Sequence, residues 1–320
     1  MADLLLHNAR IHTMDQSRPR ADWMAVRNGR IVALGQGAGP DATQRIDAGG
    51  RVVLPGFQDA HIHLLSGGLD LATSAQLYDV TTLDDLVATL RAHARARPGL
   101  PIVLAAGWQA GVFGDANLHA DVLDSAVRDR PLLAYDSSFH NACLNSCAIR
   151  MAGVQEMPDP PNGHIVRDAR GQTNGMLHEE VIPCVLDRLP SLTEAHWHLG
   201  LDAGLAHANA HGITGVLDAR ITAQEARIYG AAATAGALSL RVAGSALVTL
   251  YDTPESAVAR LTALRAAHPG PDFHIHSAKF FMDGVFENRT AATLRPYVDA
   301  PGGNARCMFT DSQTVALMTA

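Results

Sequence analysis

The stretch VVLPGFQDAHIHL, Val52 to Leu64, runs apolar residues into Pro55-Gly56. It then sets an acid and two histidines at every second position: Asp59, His61 and His63. If Phe57 to Leu64 is extended, alternate side chains share a face, so these three point one way. Two imidazoles on one side of a strand end can grip one metal ion, whereas a helix needs a separation of three or four. The competing reading is a strand whose polar residues simply face water. Val52, Val53 and Leu54 lead in, and Ile62 and Leu64 alternate with the histidines. That pattern favours buried imidazoles, and buried polar groups need partners.

Before this stretch, residues 1–55 read as short strands with glycine turns, and Asn28-Gly29 is a strong hairpin signal. After it, residues 66–190 mix elements. TTLDDLVATLRAHARAR is an amphipathic helix with a Thr/Asp start, and PIVLAAGW a buried strand. RPLLAYDSSFHNACLNSCAIRMAG is a strand, a polar corner and a helix; MPDPPNGHIVRDARGQTNG is a loop or hairpin. From Ser191 a regular alternation sets in. Helices LTEAHWHLGLDAGLAHANAHG, TAQEARIYGAAATAGA and TPESAVARLTALRAAHPG separate strands ITGVLDA, LSLRVAGSALV and FHIHSAKFFMDG. Helix–strand alternation implies parallel strands and an α/β fold.

The chain has 320 residues, enough for one large domain or two ordinary ones. A net charge of −7 argues against a nucleic-acid partner, whose binders carry clustered basic residues. The apolar runs are too short to span a bilayer, and MADLLLHNARIH has no signal-peptide pattern. Cys143 and Cys147 are four apart, which is helix spacing, so the four cysteines read as free thiols of a reduced, cytoplasmic protein.

PGFQDAHIHL, GITGVLDA and KFFMDG, in that order, resemble the metal-dependent amidohydrolase superfamily. GWQ (107–109), DSSFHNACLNS (136–146), NGHIVRDARGQTNGMLHEE (162–180) and KFFMDGVFENRTAATLRPY (279–297) narrow the resemblance to the amidohydrolase-3 branch, which includes YtcJ-like proteins and N-substituted formamide deformylases. The resemblance implies a (β/α)8 TIM barrel with its active site at the C-terminal strand ends. Residues 1–55 would be part of a β-sandwich, residues 56–320 the first half of the barrel, and 66–190 an inserted α+β subdomain over the mouth. His61 and His63 would hold the first metal. Lys279, on the fourth strand, matches a lysine that is carboxylated in many members and bridges two metals; a lysine shielded from water loses its proton more readily and can add carbon dioxide. Glu179 is the alternative bridge. The cofactor would be one or two divalent ions, zinc by default for nitrogen and oxygen ligands, with iron and manganese open.

Trp108, His140, Asp283 and Arg289, with Gly284, Asn288 and Thr290, are candidates for lining the substrate pocket. Strand parity puts Lys279 on a face with Ile275 and Ser277, so His274 and His276 would face the helices. His196, His198, His207 and His211 lie on one helix without a zincin glutamate and read as packing or surface residues. The function implied is hydrolysis of a C–N, amide-type bond in a small non-peptide molecule. Deamination on the same scaffold, or a non-catalytic remnant, are the alternatives. The resemblance also places two more histidines and a general-base aspartate on later strands, beyond residue 320. The expectation is therefore an N-terminal part of a longer enzyme, pairing as a homo-oligomer or with a complementing C-terminal chain.

Overall fold

The computed structural model describes residues 1–113, 117–160, 163–286, 289–298 and 305–320. It divides into two compact units, Met1–Gln58 and Asp59–Ala320. The first therefore ends three residues later than the sequence reading placed it.

The first unit holds two small sheets. One runs Arg30–Gly35, Trp23–Arg27, Ala2–His7, Ala42–Asp47; the other runs Arg20–Ala21, Arg10–His12, Val52–Val53. Asn28 and Gly29 take φ of 51° and 70°, the positive pair that a two-residue hairpin loop with the strands' own twist requires.

In the second unit four strands lie in the order Phe273–Phe280, Arg241–Val248, Ile213–Ile221, Phe57–Ile62, each beside its predecessor in the chain. The last three in sequence pair in parallel. Helices Glu194–Ala210, Ala223–Thr234 and Pro254–Ala267 connect them, as the alternation predicts. Their starts are chemically marked. Thr222 and Glu225 form a reciprocal capping box, and Thr253 caps a helix whose first residue is Pro254. One face of the sheet is covered: Val216, Ile221, Val242, Ala246, Phe273 and Ile275 bury against Leu201, Leu205, Ala226, Ile228 and Tyr229.

Helix Leu64–Thr73 follows the first strand, and Leu64 and Leu65 join this same core. The first strand of the inserted region starts at Ser74. That region is built on a six-stranded sheet ordered Gly163–Arg167, Thr173–Glu179, Asn141–Leu144, Leu132–Asp136, Val103–Trp108, Ser74–Gln76. The polar corner expected after Leu132–Asp136 is short. Asn141–Leu144 returns antiparallel before helix Ser146–Ala152, because Ala142, Cys143 and Leu144 are fully buried and the extended form buries them on both faces.

The opening stretch is less buried than its composition implies. Val52, Leu54 and Phe57 are 48%, 44% and 58% exposed, and the strand Phe57–Ile62 is an edge of its sheet.

Candidate metal centre

His61 stands near the end of the first strand, its backbone N–H donating to Asp59 Oδ1 at 3.0 Å. The strand stops at Ile62. His63, with φ −115° and ψ 73°, occupies the N-cap position of helix Leu64–Thr73. Asp59, His61 and His63 therefore do not share a strand face. The bend at His63 brings the two rings edge to face instead, centroids 5.8 Å apart and planes at 86°.

Lys279 lies at the end of the fourth strand, its ammonium 4.8 Å from the Phe281 ring centroid. Burial, and then the charges of Arg220, His61 and Lys279, push the His63 pKa below the ordinary imidazole value. The sense of the shift matters, since a neutral imidazole is the form that binds a metal. Lys279 is also the only lysine in the chain, against 24 arginines among the 25 basic residues. An arginine keeps its proton and cannot take up carbon dioxide.

The donor set can be tested against a cation. Among the described residues no three His, Cys, Asp or Glu side chains are grouped to hold a metal ion. The set at hand is two imidazoles and one amine. The imidazoles suit a zinc-type cation; a protonated amine would repel one, and only a deprotonated or carboxylated Lys279 would join them.

Asp218, on the second strand, is a residue the sequence reading passed over. It is 2% exposed, its Oδ2 accepts from the Tyr229 hydroxyl at 2.7 Å, and its Oδ1 lies 3.9 Å from His63 Nδ1. Burial raises its pKa to about 6, while the Tyr229 hydrogen bond acts the other way. Burial thus drives both Asp218 and His63 toward their neutral forms, so their approach is not a conventional ion pair. The available signal was the single acid inside the otherwise apolar ITGVLDA.

Glu179 ends the strand Thr173–Glu179 at a φ of 56°, uncommon for a residue with a Cβ. Its Oε2 accepts from His140 Nδ1 at 2.7 Å and its Oε1 from the Thr290 hydroxyl at 2.9 Å. Glu179 and His140 are therefore brought together with Thr290 of the loop that follows the fourth strand. In that loop Asp283 Oδ2 accepts from the Ala292 N–H at 3.0 Å, and the Arg289 N–H donates to the Phe286 carbonyl at 3.0 Å. Asn288 lies outside the described residues.

Trp108 packs in a core. It is 3% exposed, its Nε1–H donates to the Ala134 carbonyl at 3.2 Å and its ring meets Phe113 within the core of the inserted sheet. A large amphipathic ring that can reach one carbonyl is well satisfied there. His196 caps its helix at Thr193, and His211 Nδ1 bonds the His207 carbonyl, so both act locally.

His274 does not face the helices, contrary to what strand parity predicted. Gly244 pairs with Ile275 but Ser245 with Ser277, so the fourth strand carries an extra residue between them. Phe273 and Ile275 face the helices, and past the bulge Ser277 and Lys279 take the opposite face. His274, beside Ala243, shares that opposite face with Lys279. Depth, not face, separates them. Their partners Ala243 and Leu247 are four residues apart, roughly 13 Å along a strand.

Comparison with known proteins now bears on this geometry. A family model described as the amidohydrolase family matches residues 44–320. The putative amidohydrolase YtcJ of Bacillus subtilis is 27% identical over 93% of this chain and 57% of its own length. An N-substituted formamide deformylase of Arthrobacter pascens is 30% identical over 74% of this chain and 46% of its own. The crystal structure of an uncharacterized metal-dependent hydrolase from Pyrococcus horikoshii superposes with a TM-score of 0.73 at 19% identity, covering 99% of this chain and 62% of that one. The chain thus spans about half to two thirds of each of these relatives. With an α/β fold and a domain match over most of its length, it belongs to the amidohydrolase family.

Proposed function

We propose that this chain carries the first-metal histidines and the bridging lysine of a hydrolase that cleaves a C–N bond of amide or formamide type in a small, non-peptide molecule. The observation that carries the reading is positional: the single lysine, Lys279, lies at the end of the fourth strand of the sheet whose first strand leads into His61 and His63. Zinc is the proposed cation, and its sheet would be the first half of a TIM barrel. When bound, a divalent cation lowers the pKa of water and polarises a substrate carbonyl.

The residues have separable tasks. His61 and His63 supply ring nitrogens, and burial and then the Arg220 charge hold the His63 pKa below the ordinary imidazole value. Lys279, once deprotonated, adds carbon dioxide: an N–C bond forms, a proton leaves to solvent, and a carbamate with one negative charge shared over two oxygens replaces a cation. That exchange turns the local charge from repelling to attracting a metal. The names of the relatives support hydrolysis of C–N bonds, and formamides are the first substrates to try.

The test uses the single lysine. With 13C-labelled bicarbonate, a carbamate resonance should appear in the wild type and vanish in Lys279→Arg. Equilibrium dialysis should find zinc on the wild type and its loss in His61→Asn and His63→Asn. Folded histidine variants that retain the wild-type zinc content would overturn the assignment.

A further inference from the structure

Asp218 is a buried carboxylate to which the proposed chemistry gives no task. Such a group is costly to bury, and an apolar pair of the same volume would often serve stability as well. Its surroundings are apolar on one side, where Ile221, Ala226, Ile228, Val242 and Phe273 belong to the same core as its partner Tyr229, while the buried Glu225 carboxylate adds a like charge. Yet Asp218 does not aim wholly into that core. Oδ2 takes the Tyr229 hydroxyl at 2.7 Å and the Leu65 N–H at 3.5 Å, while Oδ1 lies 3.9 Å from His63 Nδ1 and accepts the Arg220 N–H at 3.4 Å.

Those contacts converge on one turn. Helix Leu64–Thr73 has no acidic residue in its first turn, and its N-cap residue His63 makes no side-chain cap. Its first N–H groups need an acceptor, and its N-terminus favours negative charge. Asp218 supplies both from the neighbouring strand. The same carboxylate therefore touches the backbone two residues after His63 and faces the His63 ring.

We propose that Asp218, held by Tyr229, is a positioning residue for His63: it draws the Nδ1–H toward its carboxylate and leaves Nε2 to face a divalent cation. This rests on His63 being a metal ligand, as proposed above. The 3.9 Å separation is longer than a hydrogen bond, so a small movement of the His63 ring is needed to make the contact. A carboxylate behind a ligating histidine fixes its tautomer, and loss of such a partner typically weakens metal binding 10–100-fold.

The test reads the tautomer directly. Long-range 1H–15N spectra of the metal-free protein above pH 7.5 would report His63, assigned by its absence in His63→Asn. The wild type should show Nδ1 protonated. In Asp218→Val/Tyr229→Phe, which removes both buried polar partners, the Nε2-protonated form should appear and zinc affinity by chelator competition should fall 10–100-fold. Tyr229→Phe alone should keep the wild-type tautomer. A wild-type His63 protonated at Nε2 would overturn the proposal even if the double variant failed to fold. So would a folded double variant with unchanged tautomer and affinity. A wild type with Nδ1 protonated that takes up no zinc would instead refute the metal reading and leave the positioning intact.

Discussion

Helix Leu64–Thr73, which carries His63 at its start, meets helix Glu194–Ala210 at three glycines, Gly68, Gly200 and Gly204. A Cβ on Gly68 would lie 2.1 Å from the Gly200 carbonyl oxygen, 2.7 Å from the Gly204 nitrogen and 2.8 Å from the Gly204 Cα. All three are backbone atoms and cannot swing aside. Comfortable carbon contacts lie at about 3.5–4.0 Å, so Gly68→Ala forces the helices apart by roughly 1 Å. Overpacking of this kind costs about 1–3 kcal/mol, and rigid atoms on both sides place it at the upper end. The gain in helix propensity returns up to about 1 kcal/mol, leaving a net loss of about 2 kcal/mol. Gly67 is the matched control. It is the next residue on the same helix, is exposed, and has nothing within 4 Å of an added Cβ. Gly67→Ala should collect the propensity alone and stabilise by up to about 1 kcal/mol. Urea unfolding of the two variants should therefore differ by about 3 kcal/mol at equal m-value. Zinc affinity should fall in Gly68→Ala only, because His63 moves with its helix. Equal midpoints for the two variants would refute the claim that this glycine contact sets the seat of His63.

Three further outcomes are expected. Arg260 grips both carboxylate oxygens of Asp252 and also the Leu247 carbonyl, and its hydrogen bond holds the Asp252 pKa well below the usual carboxylate range. A depressed folded-state pKa stabilises above the unfolded value near 4 and is lost as pH falls through the folded one. Arg260→Met should therefore cost about 1.5–3 kcal/mol at pH 7, and its gap to wild type should narrow below about pH 4; a gap independent of pH in urea titrations would contradict the pairing. Glu179→Ala removes the acceptor that ties His140 to Thr290, so trypsin should cut faster at Arg289; an unchanged cleavage rate would mean that Glu179 does not hold this loop. Thr222→Ala dissolves the capping box with Glu225 and should destabilise by about 1 kcal/mol, read by thermal unfolding, with no change in zinc content.

The α/β alternation was legible because each helix announces its own start. Thr222 with Glu225, Thr253 before Pro254, and the glycine or proline stops are local chemistry, and local chemistry survives in the sequence. The hairpin at Asn28-Gly29 was readable for the same reason, since few residues other than glycine and asparagine enter positive φ cheaply. Trp108 was misread because a tryptophan beside a glycine looks the same whether its indole faces a ligand or the Ala134 carbonyl; only the fold decides. Asp218 was missed because its partners, Tyr229, Leu65 and His63, are 11, 153 and 155 positions away.

The fourth strand exposes the deeper limit. Alternation assigns faces only while the count of residues on neighbouring strands stays equal, and one extra residue near His276 reverses every later assignment. Read without the bulge, FHIHSAK puts Lys279 on the face of Ile275, against the helices, or else turns Ile275 away from them. The chain needs both Ile275 in the helix-facing core and Lys279 on the other side, and an even step of four cannot deliver that. The bulge resolves the conflict, and the conflict was visible beforehand: a strongly apolar residue and a candidate site lysine sat at the same parity. Such a clash between core demand and site demand is itself a signal for an irregular strand. Deleting His276 leaves Ile275 and Lys279 three steps apart, an odd count that keeps them on opposite faces by regular alternation alone. A folded deletion variant should therefore retain the 13C carbamate resonance, and a folded variant that loses it would show that face alone does not aim the lysine.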